Sequence, residues 1–270
     1  SPDNVSGRVH KISVLVKAEF TGPGVVVVVA IVRVPDDEKT LAADGLPAGT
    51  FVMDIPVEGG DLFCYLDNVQ YKKNEWQNRN RIKTVEGRQW LTVPVNYRFP
   101  QKIDTIEIAE GVNWRRKHLQ ALITNYAAAP HFERYIDRLR DVYRAEWRYL
   151  ADLNIELIEC VCRFLHLKDK RMIRASALKT REEPSLRLVD ICRELGADTY
   201  LAGAGGAAYM NLQLFDAAGV KVVFQTFNPP VYPQLFGDFV ANLSMVDLLF
   251  NCGPGALDKI AANNPAMMRI

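Results

Sequence analysis

The clearest pattern in the chain lies in residues 171–227, RMIRASALKTREEPSLRLVDICRELGADTYLAGAGGAAYMNLQLFDAAGVKVVFQTF. Segments with the composition of buried strands alternate here with segments of helical period: Arg171–Ala175, Pro184–Leu195, Thr199–Ala202, Ala207–Ala218 and Lys221–Phe227. The first helical segment begins with a proline, and a glycine closes each of the two. This alternation predicts an α/β fold with a mostly parallel sheet flanked by helices.

Upstream of this pattern, the hydrophobic period changes to 3.6 residues. Asn113 is a natural N-cap, and the apolar positions that follow it form one helical face. Two further segments, Pro130–Arg144 and Glu146–Leu165, repeat the pattern with aromatic stripes that are typical of a core. The sequence therefore predicts a helical insertion around residues 113–166. Ser244–Cys252 is predicted as a last helix, and Asn154, on an apolar helix face, is expected to make a buried structural hydrogen bond.

The first sixty residues differ from the rest. They contain three strand-like segments, Lys11–Val16, Val25–Val34 and Thr50–Ile55. No catalytic or binding motif is recognisable in these segments. Leu62–Val69 then has the composition of a buried strand. We therefore divide the chain into an atypical β-rich N-terminal segment, residues 1–60, and an α/β domain, residues 61–265.

Bulk composition limits the classes of function. The formal net charge of +1 over 270 residues gives no global attraction to nucleic acid or to a membrane surface. The longest apolar run, Val25–Val32, is shorter than the ~20 residues that span a bilayer. Five cysteines without a CxxC pair are typical of free thiols in a reducing compartment. We expect a cytoplasmic protein.

The densest polar stretch is Trp76–Val95, WQNRNRIKTVEGRQWLTVPV. Planar donors packed this closely are costly to bury, so we expect an acidic interior partner or an anionic ligand. Residues 71–118 contain eleven Lys or Arg against five Asp or Glu, a local balance of +6. This asymmetry favours an anionic small molecule such as a nucleotide-activated sugar. The interleaved aromatic residues would also suit stacked bases, but the overall charge makes nucleic acid the weaker alternative.

Candidates for acid–base chemistry are few. Asp67 follows a strand, where ligands bind in open α/β sheets, but it could equally cap a turn or pair with Arg79 or Arg81. His118, Asp198 and Asp247 are the other candidates. The turn Gly203–Gly206 could bind an anion through its amides, although a plain tight turn is the commoner explanation. No histidine has a partner at metal-ligand spacing, and no nucleophile or cofactor motif is present, so we expect neither metal nor cofactor.

Several motifs together resemble the WbqC-like protein family. They are LDNVQYKKNEWQNRNRIK (66–83), WLTVPV (90–95), WRRKHLQALITNY (114–126), LNIELI (153–158), ICRELGADTYLAGAGG (191–206), FQTFNPPVYPQLFG (224–237) and LSMVDLLFNCGP (243–254). The resemblance covers about Gly60 to Gly255. Family members usually carry a Gln-Pro, Tyr-Pro and Gly-Tyr-rich loop before this region, and residues 1–60 lack it.

The resemblance implies a place in O-antigen or other surface-polysaccharide synthesis. The implied activity is transfer of an acyl or aminoacyl group to a nucleotide-linked or lipid-linked amino sugar. The alternative is a ligand- or partner-binding module without chemistry. Asp67 and His118 are the predicted catalytic residues. The predicted shared substrate site comprises Gln70, Trp76, Asn78, Arg79, Asn80, Arg81, Lys117, Gly203, Gly206, Tyr209, Gln225, Tyr232, Gln234, Gly237, Ser244, Asp247 and Asn251.

Overall fold

The computed structural model describes residues 62–73, 76–167, 171–225 and 229–263, together with the backbone of residues 26–30. The predicted strands Lys11–Val16 and Thr50–Ile55 lie outside these residues. Of the predicted strand Val25–Val34, the described part is Val26–Ala30.

Nine strands form three sheets in the described residues. The strands are β1 (Val26–Ala30), β2 (Leu62–Tyr65), β3 (Arg79–Thr84), β4 (Gly87–Thr92), β5 (Val95–Asn96), β6 (Glu107–Ile108), β7 (Arg171–Arg174), β8 (Thr199–Gly203) and β9 (Lys221–Gln225). A small five-stranded sheet has the order β7-β2-β1-β8-β9, and every neighbouring pair in it is parallel. β3 and β4 form an antiparallel hairpin, and β5 pairs with β6. Of the predicted α/β fold with a mostly parallel sheet flanked by helices, the mixed α/β content and the parallel strand pairs are confirmed.

Seven α-helices accompany these strands in the described residues. They are α1 (Trp114–Tyr126), α2 (Phe132–Arg144), α3 (Leu150–Phe164), α4 (Pro184–Glu194), α5 (Leu212–Asp216), α6 (Met245–Cys252) and α7 (Ala256–Ala262). The first three form the predicted helical insertion between β6 and β7. The predicted helix Ala207–Ala218 is instead a 3₁₀ helix, Ala204–Ala208, followed by the short α5. The amide of Asn211 donates to the Ser185 hydroxyl rather than to a helical carbonyl, so the two pieces do not merge.

The core has two parts, one on each face of the five-stranded sheet. Side chains alternate along a strand, so Phe63 and Tyr65 of β2 pack into the part that α1, α2, α3 and α6 complete. Leu62 and Cys64 pack into the other part, against α4 and α5. β2 and β8 are therefore almost fully buried, as their apolar composition indicates, whereas β7 and β9 at the two edges of the sheet are partly exposed.

β1 occupies the centre of the sheet, between β2 and β8. The chain adds β2 and β7 on one side of β1 and then β8 and β9 on the other. In open α/β sheets, the crevice at such a reversal, outside the carboxyl ends of the strands, is a common ligand site. The proposed division of the chain at residue 60 stays a prediction.

Two further properties follow from the described residues. None of their helices is long and apolar enough to cross a membrane. All five cysteines are free thiols, and four of them are buried. Burial raises the pKa of Cys64, Cys162 and Cys192 to about 12, which makes these thiols poor nucleophiles.

Candidate functional site

A cavity of about 140 Å³ lies where the β3–β4 hairpin meets α1, α2, α3 and α6. The apolar part of its wall comes from β4, the residue just after β4, and the helices: Leu91, Val93, Leu122, Leu139, Leu157, Ile158, Val161 and Val246. The remaining lining residues are aromatic or polar: Trp76, Gln77, Asn78, Arg79, Asn80, His118, Tyr143, Asn154 and Ser244. The cavity thus brings together six of the predicted site residues, namely Trp76, Asn78, Arg79, Asn80, His118 and Ser244.

The guanidinium groups of the 76–81 segment stack on indole rings. Arg81 lies 4.3 Å from the ring centroid of Trp76 and 5.0 Å from that of Trp90, and Arg79 lies 4.3 Å from Trp90. The two indoles are themselves 4.5 Å apart. Stacking on an aromatic face partly compensates a guanidinium for its lost hydration, a partner that the sequence analysis did not consider. The indole faces are occupied by these contacts, which weakens the alternative of base stacking.

The side-chain amides of this segment mainly hold the backbone in place. Asn78 donates to the Val93 carbonyl over 2.8 Å, and the oxygen of Gln77 accepts from the Lys72 amide over 2.8 Å. Asn154 of α3 donates to the Gln77 carbonyl over 2.9 Å, which is the structural hydrogen bond expected of it. These bonds fix the segment as one rigid wall of the cavity.

His118 projects from α1 and is 6% exposed. Its Nε2 lies 3.0 Å from the Thr92 carbonyl, which can only accept, so Nε2 carries the proton. Burial lowers the pKa of His118 to about 4, and the Thr92 bond opposes this only in part. At neutral pH the imidazole is therefore uncharged, and its Nδ1 has no hydrogen-bond partner in the described chain.

Two hydroxyl groups line the same cavity. Tyr143 packs edge-on against His118 and Trp114, and no described residue hydrogen-bonds its hydroxyl. Burial raises the pKa of Tyr143, so this hydroxyl stays protonated. Ser244 precedes α6 without capping it. The sequence analysis missed Tyr143 because it belongs to the apolar stripe of α2, where aromatic residues are typical of a core.

Four other predicted site residues meet in a buried network centred on Asp247, which is 0% exposed. One carboxylate oxygen accepts from Tyr126 over 2.7 Å, and the other accepts from Tyr232 over 2.8 Å and from Gln234 over 3.0 Å. Asn251 donates to the Asp247 main-chain carbonyl over 2.7 Å. Burial raises the pKa of Asp247, while the three donors lower it. None of these residues lines the cavity.

Asp67 lies at the end of β2, as predicted, but away from the cavity lining. One of its carboxylate oxygens accepts from the Ser176 amide over 2.8 Å and the other from the Ser176 hydroxyl over 2.7 Å. Both oxygens thus hold the turn after β7. The nearby Asp104 donates its amide to the Asp67 carbonyl, and burial together with the Asp67 charge raises the pKa of Asp104. No hydrogen bond joins Asp67 to His118 in the described structure.

The other predicted residues are dispersed. Gln70 is exposed and forms an isolated bridge with Lys102. Lys117 lines a shallow polar pocket on the outer face of α1, together with Gln89, Asn113 and Arg116. Gly203 is the last residue of β8, and its backbone pairs with that of Gln225 in β9. The side chain of Gln225 is not part of the described structure.

Packing explains the glycine at position 206. A Cβ there would lie 2.9 Å from the sulfur of Met210 and 3.3 Å from the ring of Phe224. Tyr209 follows the short 3₁₀ helix that contains this glycine. Among the described residues, no group of three or more His, Cys, Asp or Glu side chains could hold a metal ion.

Comparison with known proteins supports the resemblance seen in the motifs. Residues 56–259 match the WbqC-like protein family. The chain is 36% identical over 204 residues to the uncharacterized protein Rv1507c of Mycobacterium tuberculosis, covering 74% of this chain and 87% of that protein. No solved structure gives a significant match. On the extent of the family match, the chain belongs to the WbqC-like protein family.

Proposed function

We propose that the protein is a group-transfer enzyme of bacterial surface-polysaccharide synthesis, such as that of O-antigen, and that it works in the cytoplasm. Its acceptor is an amino sugar linked to a nucleotide or a lipid, and its donor is an activated acyl or aminoacyl compound such as a thioester. The observation that carries the proposal is the cavity that combines apolar walls, the polar 76–80 segment and an uncharged His118.

His118 supplies the proton acceptor. The amine nitrogen of the sugar attacks the acyl carbonyl carbon, and the new C–N bond forms as the bond to the leaving group breaks. The proton of the amine passes to Nδ1, because Nε2 already donates to Thr92. A pKa of about 4 makes the imidazolium short-lived, so the proton passes on to the leaving group. We assign Asp67 no part in this step, because Ser176 engages both of its carboxylate oxygens.

Cations in the cavity and on the outer face of α1 suit the phosphates of a nucleotide-linked acceptor. Arg79 lines the cavity itself, and Lys117 and Arg116 line the shallow pocket on the other side of α1. Guanidinium and ammonium groups bind phosphate through charge-assisted hydrogen bonds. We assign phosphate binding to Arg79 and Lys117. Arg81 is more deeply buried, and its stacking on two indoles suits a structural role.

The test is thermal unfolding with a panel of nucleotide-linked amino sugars, followed by a mass-spectrometric assay for acylated product. A ligand at ~100 times its Kd adds about 2.7 kcal/mol to the free energy of unfolding. We expect one sugar class to stabilise the protein, and Lys117→Ala to weaken that effect. His118→Gln should abolish product while the sugar still binds. A cooperative melt that no sugar shifts contradicts the proposal.

One observation favours a second candidate, a binding module without chemistry. A histidine with a pKa near 4 is a weak base, and the described part of the cavity holds no carboxylate to assist it. In that case a nucleotide-linked sugar stabilises the protein, but no donor yields product, and His118→Gln changes neither result.

A further inference from the structure

The cavity wall changes from polar to apolar along its length. On α3, Asn154 contacts the 76–80 segment, whereas Leu157, Ile158 and Val161 line the cavity further along the helix. Asn154 and Val161 are seven residues apart, a distance of roughly 10 Å at about 1.5 Å per residue. Leu122, one turn after His118 on α1, adds to the apolar lining. A ligand in this cavity therefore has one polar end and one apolar end.

The size of the cavity limits the apolar part of that ligand. Its volume of about 140 Å³ is close to that of an engineered apolar cavity of ~150 Å³ that binds benzene. An apolar group of about four to six carbon atoms fits such a space. The apolar wall offers no acceptor for an ammonium group, and an unpaired ammonium is strongly disfavoured in such surroundings.

The polar end presents hydrogen-bond donors. Ser244 lines the cavity and is 8% exposed, yet its hydroxyl does not cap α6 and makes no hydrogen bond to any described residue. The amides at the start of a helix have no acceptor within the helix, and the helix dipole favours a negative oxygen there. The Ser244 amide donates to the Arg81 carbonyl over 2.8 Å, which holds this end of α6 against β3. The arrangement suits a carbonyl or carboxylate oxygen.

We propose that the cavity binds a short apolar acyl group, with its chain against Leu122, Leu139 and Ile158 and its carbonyl oxygen accepting from the Ser244 hydroxyl. The inference rests on the proposed function, in which this acyl group is the one transferred. It narrows the range of acyl groups, because a charged substituent along the chain of the acyl group, such as a terminal ammonium, has no partner in the apolar part of the wall.

Binding of simple carboxylates tests the inference without any sugar. Acetate, butyrate, hexanoate, decanoate and glycine are titrated into the full chain by calorimetry, with thermal unfolding in parallel. We expect butyrate and hexanoate to bind, and acetate, decanoate and glycine to bind at least tenfold more weakly. Ser244→Ala should weaken hexanoate binding about tenfold, the equivalent of about 1.4 kcal/mol and of one hydrogen bond. Val112→Ala, at an exposed position outside the cavity lining, is the matched control.

A pair of variants at one half-buried position tests the chain pocket. Leu157→Ala enlarges it and should shift the preference toward octanoate, whereas Leu157→Phe shortens it and should favour butyrate over hexanoate. A preference that does not move with either variant, or hexanoate binding that survives Ser244→Ala unchanged, overturns the inference.

Two combinations of binding results separate the acyl pocket from the proposed transfer activity. If the carboxylates bind but no amino sugar stabilises the protein, the acyl pocket is supported and the proposed acyl transfer to an amino sugar is contradicted. If amino sugars bind but the carboxylates do not, the acyl pocket is overturned and the sugar-binding site is retained.

Discussion

The hydroxyl of Tyr126 donates a hydrogen bond of 2.7 Å to Asp247 and accepts one of 2.8 Å from the amide of Lys83. One buried tyrosine thereby links α1, α6 and β3. The ammonium group of Lys83, itself 1% exposed, binds the carbonyl oxygens of Gly237 and Asp238 at 3.4 and 2.5 Å. The network ties the loop after residue 229 to the hairpin that forms one cavity wall. The polar residues of this network therefore have a structural role.

Tyr126→Phe should lower the free energy of unfolding by about 1–3 kcal/mol, because it leaves the Asp247 oxygen and the Lys83 amide without a buried partner. Urea denaturation measures the change. Tyr143→Phe is the matched control, since no described residue hydrogen-bonds the Tyr143 hydroxyl, and it should change stability by less than about 0.5 kcal/mol. Equal losses in the two variants would contradict a stabilising role for the two hydrogen bonds of the Tyr126 hydroxyl.

Asp67→Ala should also destabilise the protein, by about 1–3 kcal/mol, because the Ser176 amide and hydroxyl both lose their acceptor. Affinity for whichever sugar or carboxylate binds the wild type should stay unchanged. Calorimetry at a temperature where the variant is fully folded measures that affinity. Ser176→Ala removes only one of the two bonds and should cost less. Normal stability with lost ligand binding would return Asp67 to the site.

Arg81→Ala should cost more stability than Arg79→Ala, because Arg81 is 8% exposed and stacks on two indoles rather than one. Each desolvated stack contributes up to about 2 kcal/mol. Arg81→Lys should recover little, since an ammonium lacks the planar face. Tryptophan fluorescence during urea unfolding, to which Trp76 and Trp90 contribute along with the two other tryptophans of the chain, measures the change in stability. An Arg81→Ala protein as stable as the wild type, but unable to bind ligand, would contradict the structural role.

The helices were predictable because their signal is local. The apolar stripes of α1, α2 and α3 recur every three to four residues, and the structure places these helices within a few residues of the predicted bounds. The βαβ alternation likewise indicates parallel pairing without knowledge of the partner strand. Strand β3 was not predicted, because its polar composition, RNRIKT, has no strand signal.

The grouping of the candidate site residues was less predictable. Lys83 binds carbonyl oxygens 154 and 155 residues further along the chain, and no sequence pattern encodes that pairing. Asp67 and His118 were both predicted from the sequence as catalytic residues, but their surroundings differ. A serine binds the Asp67 carboxylate, whereas His118 lines the cavity. Whether a polar residue stabilises the fold or binds a ligand depends on these long-range contacts.

The stability of the protein should depend on pH through His118. The folded pKa is about 4 against an ordinary value of 6.5, so between these pH values the unfolded chain binds more protons than the folded one. Stability is therefore fully present above pH 6.5 and is lost as the pH falls toward 4. One pKa unit corresponds to about 1.36 kcal/mol, so the loss between pH 7 and 4.5 amounts to about 2–3 kcal/mol.

Urea denaturation of the wild type and of His118→Gln at both pH values isolates this contribution. Glutamine can still donate to the Thr92 carbonyl but does not titrate, so the variant should lose about 2–3 kcal/mol less than the wild type between pH 7 and 4.5. Asp247, whose raised pKa acts in the opposite sense, is present in both proteins and cancels. Parallel pH profiles would mean that His118 titrates as an exposed histidine does, and an uncharged imidazole would then no longer be available in the cavity below about pH 6.5.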